Sequence, residues 1–313
     1  MIVIMTFCFF IKGREGLEFL AVNPSREKSF FISKMPPVHI LGKTSEGNNQ
    51  TVDFSLEKKV KLGQLKFKEQ IYFVDIKEQT IMILSPKGEI LERYHLQEGN
   101  RRIISSHIDD INSDGDDSIL LVTGEKGAEF GDTLLILNFD GEIIKEVYNQ
   151  TFQRLNPWKV QTCDVDGDGQ KEISLGVYKE AQFHPVMAKR PFIYDWQEEG
   201  MLVPKWRGSR LARPFTDYIF SDMDGSGSDE LIAIEILESG KKVLHVYKWK
   251  GFGFEGVGES LPYADIEAIK KLKKEDTFSL YAFIKGRGEV KWYPFILEGE
   301  KIEVFMETKG EDK

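Results

Sequence analysis

The chain has 313 residues, of which 41% are hydrophobic and 12% aromatic, enough apolar surface for a packed core and incompatible with intrinsic disorder. Acidic residues (51) outnumber basic ones (42), giving a net charge of −9, which disfavours nucleic acid as the main partner. Two cysteines, Cys8 and Cys163, are too few for a disulfide framework, and Cys163 reads as a small core residue.

Residues 1–13 form the longest apolar run, too short to cross a bilayer as a helix. An export signal would want a basic start and a small-residue cleavage site, whereas the first cation here is Lys12. Segment 1–15 is therefore either a clipped export signal or a first strand, and both remain open. Residues 16–306 read as one all-β domain, followed by a charged tail at 307–313. Short apolar stretches at 17–22, 29–33, 38–41 and 51–55 are broken by Asn23-Pro24, Pro36-Pro37 and Gly47-Asn48. The next set is 61–65, 70–75, 80–84 and 89–94. Its last pair is joined by Ser85-Pro86-Lys87-Gly88, a common turn composition. A second hairpin of this kind spans 134–145 around Asp140-Gly141.

The stretch 164–172 carries the chemistry. Asp164, Asp166, Asp168 and Glu172 stand at positions 1, 3, 5 and 9 of a loop, with the carbonyl of Gln170 at position 7. Three acids in five residues repel one another unless a hard cation sits among them, and oxygen ligands at these positions suit calcium. Gly169, at position 6, can take the positive φ that turns the backbone around the ion. The alternative is a solvated acidic turn. The pattern begins again at Asp110, with Asn112, Asp114, the carbonyl of Asp116 and Ser118 in place of the ninth-position acid. It begins a third time at Asp222, with Asp224, Ser226 replacing the third acid, the carbonyl of Ser228 and Glu230. Each copy lies between two short apolar stretches, so this is a repeat. A period of roughly 40 to 60 residues with several strands apiece points to propeller blades or a similar array.

An EF-hand loop starts the same way but needs a Glu at position 12 and helical flanks. Position 12 holds Leu121, Leu175 and Ala233, and the flanks are β-like, so an EF-hand is excluded. The spacing resembles the FG-GAP/VCBS repeat of integrin-α-like propellers, whose D-x-D/N-x-D-G-x-x-D/E loop joins two strands of a blade. The match is fullest at 164–172, good at 222–230 and partial at 110–118, and it covers residues 102–258. The resemblance implies a β-propeller with calcium in its loops. Strand rhythm gives units at 16–55, 60–96, 102–148, 158–206, 216–258 and 264–306, hence six blades of four antiparallel strands, or seven if the N-terminal region hides another. Residues 265–272 have fair helix propensity, but their place in the rhythm makes them a strand.

No nucleophile elbow, zincin helix, P-loop or C-x-x-C motif is present, and the five histidines lack ligand spacing. His107, three residues before Asp110, is expected as a partly buried strand residue. Calcium is expected to be structural. One region departs from the acidic background: Lys189, Arg190, Lys205, Arg207, Arg210 and Arg213, mixed with Trp206, fall between the second and third loops. Arginine forks beside aromatic rings suit carboxylates, phosphates or acidic sugars. The alternative is a long connection whose cations pair with the acidic loops. The expected function is a non-enzymatic, monomeric calcium-stabilised binding or scaffold module outside the cytoplasm, taking a protein or anionic glycan. The rival expectation, implied by the same resemblance, is a polysaccharide lyase or hydrolase.

Overall fold

A computed structural model describes residues 8–13, 16–21 and 61–306, apart from short gaps at 97–98, 153, 198–199, 209, 275–276 and 286–289. The strands expected at 29–33, 38–41 and 51–55 lie outside the described residues. No helix among those described is long and apolar enough to cross a membrane. All regular elements among the described residues are β.

Strands β1 (Cys8–Gly13) and β2 (Gly16–Ala21) pair as a hairpin. Four-stranded antiparallel meanders follow. The first comprises β3 (Lys61–Phe67), β4 (Gln70–Lys77), β5 (Thr80–Leu84) and β6 (Ile90–His95). The second comprises β7 (Arg101–Asp109), β8 (Ser118–Glu125), β9 (Thr133–Phe139) and β10 (Ile144–Thr151). The third comprises β11 (Pro157–Cys163), β12 (Glu172–Ala181), β13 (His184–Gln197) and β14 (Met201–Trp206). The fourth runs β15 (Phe215–Ser221), β16 (Glu230–Ile236), β17 (Lys242–Trp249) and β18 (Phe254–Ser260). The fifth runs β19 (Asp265–Lys274), β20 (Thr277–Lys285), β21 (Val290–Glu298) and β22 (Lys301–Val304). The strand expected over 265–272 is present as β19.

The expected set of six separate four-stranded units is not what the described residues form. The fourth and fifth meanders merge into one eight-stranded sheet, because β18 pairs in parallel with β22 through Glu259–Lys301 and Ser260–Ile302. The two edges pass closely at Gly258, where a Cβ would lie 2.5 Å from Leu297 Cδ1 and 3.2 Å from the Glu300 carbonyl.

The sheets pack face to face, and their central strands are buried on both sides. Ile119 and Leu121 of β8 join a core cluster with Val74 and Ile81, whereas Leu120 and Val122 join the next cluster with Leu175 and Phe192. Strand β16 repeats this: Leu231 and Ala233 join the cluster of Tyr218 and Phe220, and Ile232 and Ile234 join that of Ile266 and Ile284. Period-2 alternation therefore sends successive apolar residues into two different cores, each contributing roughly 1.5–3 kcal/mol when fully buried. Successive first strands run beside one another, β3 by β7, β7 by β11, β11 by β15 and β15 by β19. This stacking puts every first-to-second-strand loop at the same end of its sheet.

Candidate metal-binding loops

The three acidic loops join β7 to β8, β11 to β12 and β15 to β16, and they share one register. The last residue of the first strand pairs with the ninth loop position each time: Asp109–Ser118, Cys163–Glu172 and Ser221–Glu230. Position 6 has positive φ in all three loops (Gly115 92°, Gly169 84°, Gly227 89°). Position 4 does too, in Ser113 (59°), Gly167 (73°) and Gly225 (73°). The first-position carboxylate accepts the position-6 amide throughout: Gly115 to Asp110 at 2.8 Å, Gly169 to Asp164 at 3.0 Å and Gly227 to Asp222 at 3.0 Å. At position 5, Asp114 and Asp168 each accept the amide two residues on, at 2.8 Å. One conformation is thus held by local bonds despite differing side chains.

The ninth position separates the loops. Glu172 Oε2 accepts the Val165 amide at 2.9 Å, and Glu230 Oε2 accepts the Met223 amide at 2.7 Å. Both glutamates are buried. The second oxygen of each is left facing the loop, so Asp164, Asp166 and Glu172 bring one oxygen each within 4.8 Å of one another, as do Asp222, Asp224 and Glu230. Ser118 instead donates to Asn138 Oδ1 at 2.7 Å, and among the described residues the 110–118 loop gathers no such trio. Asn112 donates to Asp114 at 2.8 Å. Asp168, Gln170, Ser226 and Ser228 lie on their loops outside the two trios, and the two serine hydroxyls are 3.0 Å apart.

Burial raises the pKa of Glu172 and Glu230 above the ordinary carboxylate range. Lysine ammonium groups supply countercharge. Lys205 Nζ lies 2.6 Å from Asp166 and 3.2 Å from Asp195, and it also donates to Glu172. Lys248 donates to Asp224, holding that carboxyl below its usual range, and its Nζ lies 3.5 Å from Glu230. The ammonium groups stand in for a cation among the acids. Glu230 Oε1 is buried without a hydrogen bond and has the Lys248 ammonium 3.5 Å away. Hard carboxylate oxygens and a stand-in cation together fit a hard divalent ion. The residues that would hold it are Asp164, Asp166 and Glu172 in one loop and Asp222, Asp224 and Glu230 in another.

The cations between the second and third loops do not converge on one surface. Lys189 donates to the Thr216 carbonyl at 2.7 Å and lies 4.1 Å from the Trp158 ring centroid. Arg190 is fully buried and donates to the carbonyls of Lys179, His184 and Val186. Lys205 belongs to the 164–172 loop, and Trp206 packs edge-on against Phe254 at 5.0 Å. Arg213 bridges Glu235 and Glu259. Arg210 is exposed, and Arg207 lines a cleft with Arg154. His107 Nε2 lies 2.9 Å from Thr162 Oγ1, on the neighbouring first strand. Cys163 is a fully buried free thiol, its pKa pushed up by burial.

A third group, Glu235, His245 and Glu259, has no motif to announce it. Its fully buried member, Glu235, is already contacted by Arg213, by His245 Nδ1 at 2.9 Å and by the Tyr247 hydroxyl. No protein-family model matches the chain, and the search of curated proteins returned no match.

Proposed function

We propose that this chain is a calcium-stabilised β-propeller of the FG-GAP/VCBS kind, acting outside the cytoplasm as a non-enzymatic binding or scaffold module. The observation that carries it is the recurrence of one trio: loop positions 1, 3 and 9 bring three carboxylate oxygens within 4.8 Å at both 164–172 and 222–230. Accidental acidic turns would have no reason to share register, positive-φ positions and a buried ninth-position glutamate. The five stacked meanders, with their first strands side by side, support the propeller. Calcium in these loops would join two strands at their ends and neutralise acids that otherwise depend on Lys205 and Lys248.

The test is calorimetric titration with calcium and magnesium, paired with thermal melts in EDTA. Two sites of similar affinity and a higher melting temperature in calcium are expected. Magnesium should bind more weakly, because it demands a tighter octahedron. Absence of binding heat together with coincident melts would remove the calcium half of the proposal.

A further inference from the structure

A cleft of about 790 Å³ opens between the outer edges of the second and third sheets. Its origin is a divergence of β10 from β14. At one end the two sheets touch: Tyr148 meets Trp196 edge-on at 5.7 Å, and a Cβ on Gly200 would lie 3.5 Å from the Val147 carbonyl. Beyond that contact they splay. Gln150, Phe152 and Arg154 line one side, and Tyr194 and Arg207 the other, with Leu155 adding to the apolar wall.

The polar groups here are of one kind. Arg154 and Arg207 are both exposed, and neither makes an ion pair or hydrogen bond with a described residue. Lys205, Arg213 and Lys248, by contrast, each contact carboxylates. No aspartate or glutamate is among the described residues lining the cleft, although acids outnumber bases 51 to 42. Gln150 is anchored as well: its Oε1 accepts the Tyr148 hydroxyl, which leaves its amide NH₂ as the group still able to donate. The Tyr194 hydroxyl, with a pKa pushed up to about 12 chiefly by burial, stays protonated.

We propose that this cleft binds a small oxyanion, carboxylate or phosphate, carried on a compact ring. The guanidinium forks would take the oxyanion bidentately, and Phe152 and Leu155 would cover the ring. The proposal deepens the binding-module reading by naming a site and a ligand class. It is separable from the calcium half, because calcium titrations contain no ring anion.

The experiment is calorimetry on the full chain with isophthalate, phenyl phosphate and the neutral control benzamide, at low and high salt. At least one anion should bind, weakening as salt rises, while benzamide does not. Whichever anion binds tighter identifies the oxyanion as carboxylate or phosphate. Arg154→Ala and Arg207→Ala should each weaken binding by about tenfold or more, and Arg207→Lys should recover only part of it. Both side chains are exposed, so the variants should melt with the parent, and equal melts ensure that lost binding is not lost folding. The proposal is overturned if neither anion binds more tightly than benzamide, or if the double alanine variant binds like the parent.

Discussion

Asp229 clasps the backbone of Asp164 from the neighbouring sheet. Its Oδ2 accepts the Asp164 amide at 3.0 Å, and its own amide donates to the Asp164 carbonyl at 2.6 Å. Asp117 does the same between the second and first sheets, accepting the Lys66 amide at 2.7 Å and donating to the Lys66 carbonyl at 2.8 Å. Both stand at the eighth loop position, where the middle loop has Lys171. The first and third acidic loops thus do two jobs: they shape the turn, and their eighth-position aspartate ties the sheet to the one before.

Replacing Asp229 by alanine should cost about 1–3 kcal/mol, because it strands the buried Asp164 amide without an acceptor. Asp117→Ala should cost less, since the Lys66 amide it serves is closer to solvent. Urea unfolding of the two variants beside the parent checks the order, and equal losses would mean that burial of the partner does not set the effect.

The trio loops should outweigh the 110–118 loop in calcium. At a hundred-fold excess over its dissociation constant, one site adds about 2.7 kcal/mol. Asp166→Ala removes a trio member and should forfeit most of that, whereas Asn112→Ala, at the same loop position, loses only an exposed bond to Asp114. Matched unfolding curves in calcium decide it, a reversed ranking counting against ligand charge as the controlling factor.

The strands and loops were legible because their physics is local. Alternation marks the strands, and Asp-x-Asp-Gly spacing marks a turn that needs carboxylates and positive φ. Partners distant in the chain were legible only as a class. Pairing of the cations at 189–213 with the acidic loops was one of two readings, and Lys205, 33 residues from Glu172, takes it. Arg190 carried the same ambiguity: it looked like part of an anion patch but is buried, its Nε and Nη2 donating to carbonyls of its own β12–β13 hairpin. Merger of the last two meanders rests on the pairing of β18 with β22, two edge strands far apart in the chain, which no strand rhythm reveals.

A pH dependence follows from Asp132. Its burial would raise the carboxyl's pKa, but hydrogen bonds from Arg101 and Thr133 outweigh that and hold it below its ordinary value. A depressed carboxylate contributes stability that is present above its unfolded pKa, about 3.9, and is lost as pH falls through the folded value. Asp132→Asn should therefore unfold at lower urea than the parent at pH 6, and the gap should close as pH drops below about 4. A gap independent of pH would show that the pair acts through packing alone.

Lys205→Met separates the two states of the 164–172 loop. Methionine keeps most of the side chain's length and apolar stem but removes the ammonium that contacts Asp166, Glu172 and Asp195. Burial opposes that charge, yet the bonds to Asp166 and Glu172 dominate and hold Lys205 protonated. Without metal, the variant leaves the buried Glu172 carboxylate short of a cation, so it should be less stable than the parent in EDTA, by about 1–3 kcal/mol. With metal the sign reverses: calcium no longer has to displace an ammonium from the same oxygens, and its affinity should rise by about tenfold, equivalent to about 1.4 kcal/mol. Lys248→Met should do the same at the 222–230 loop, with a smaller loss in EDTA because Lys248 is more exposed (29% against 17%). Melts in EDTA and calcium titrations of both variants give the two signs independently. Weaker calcium binding in Lys205→Met would place the ion elsewhere than among Asp164, Asp166 and Glu172.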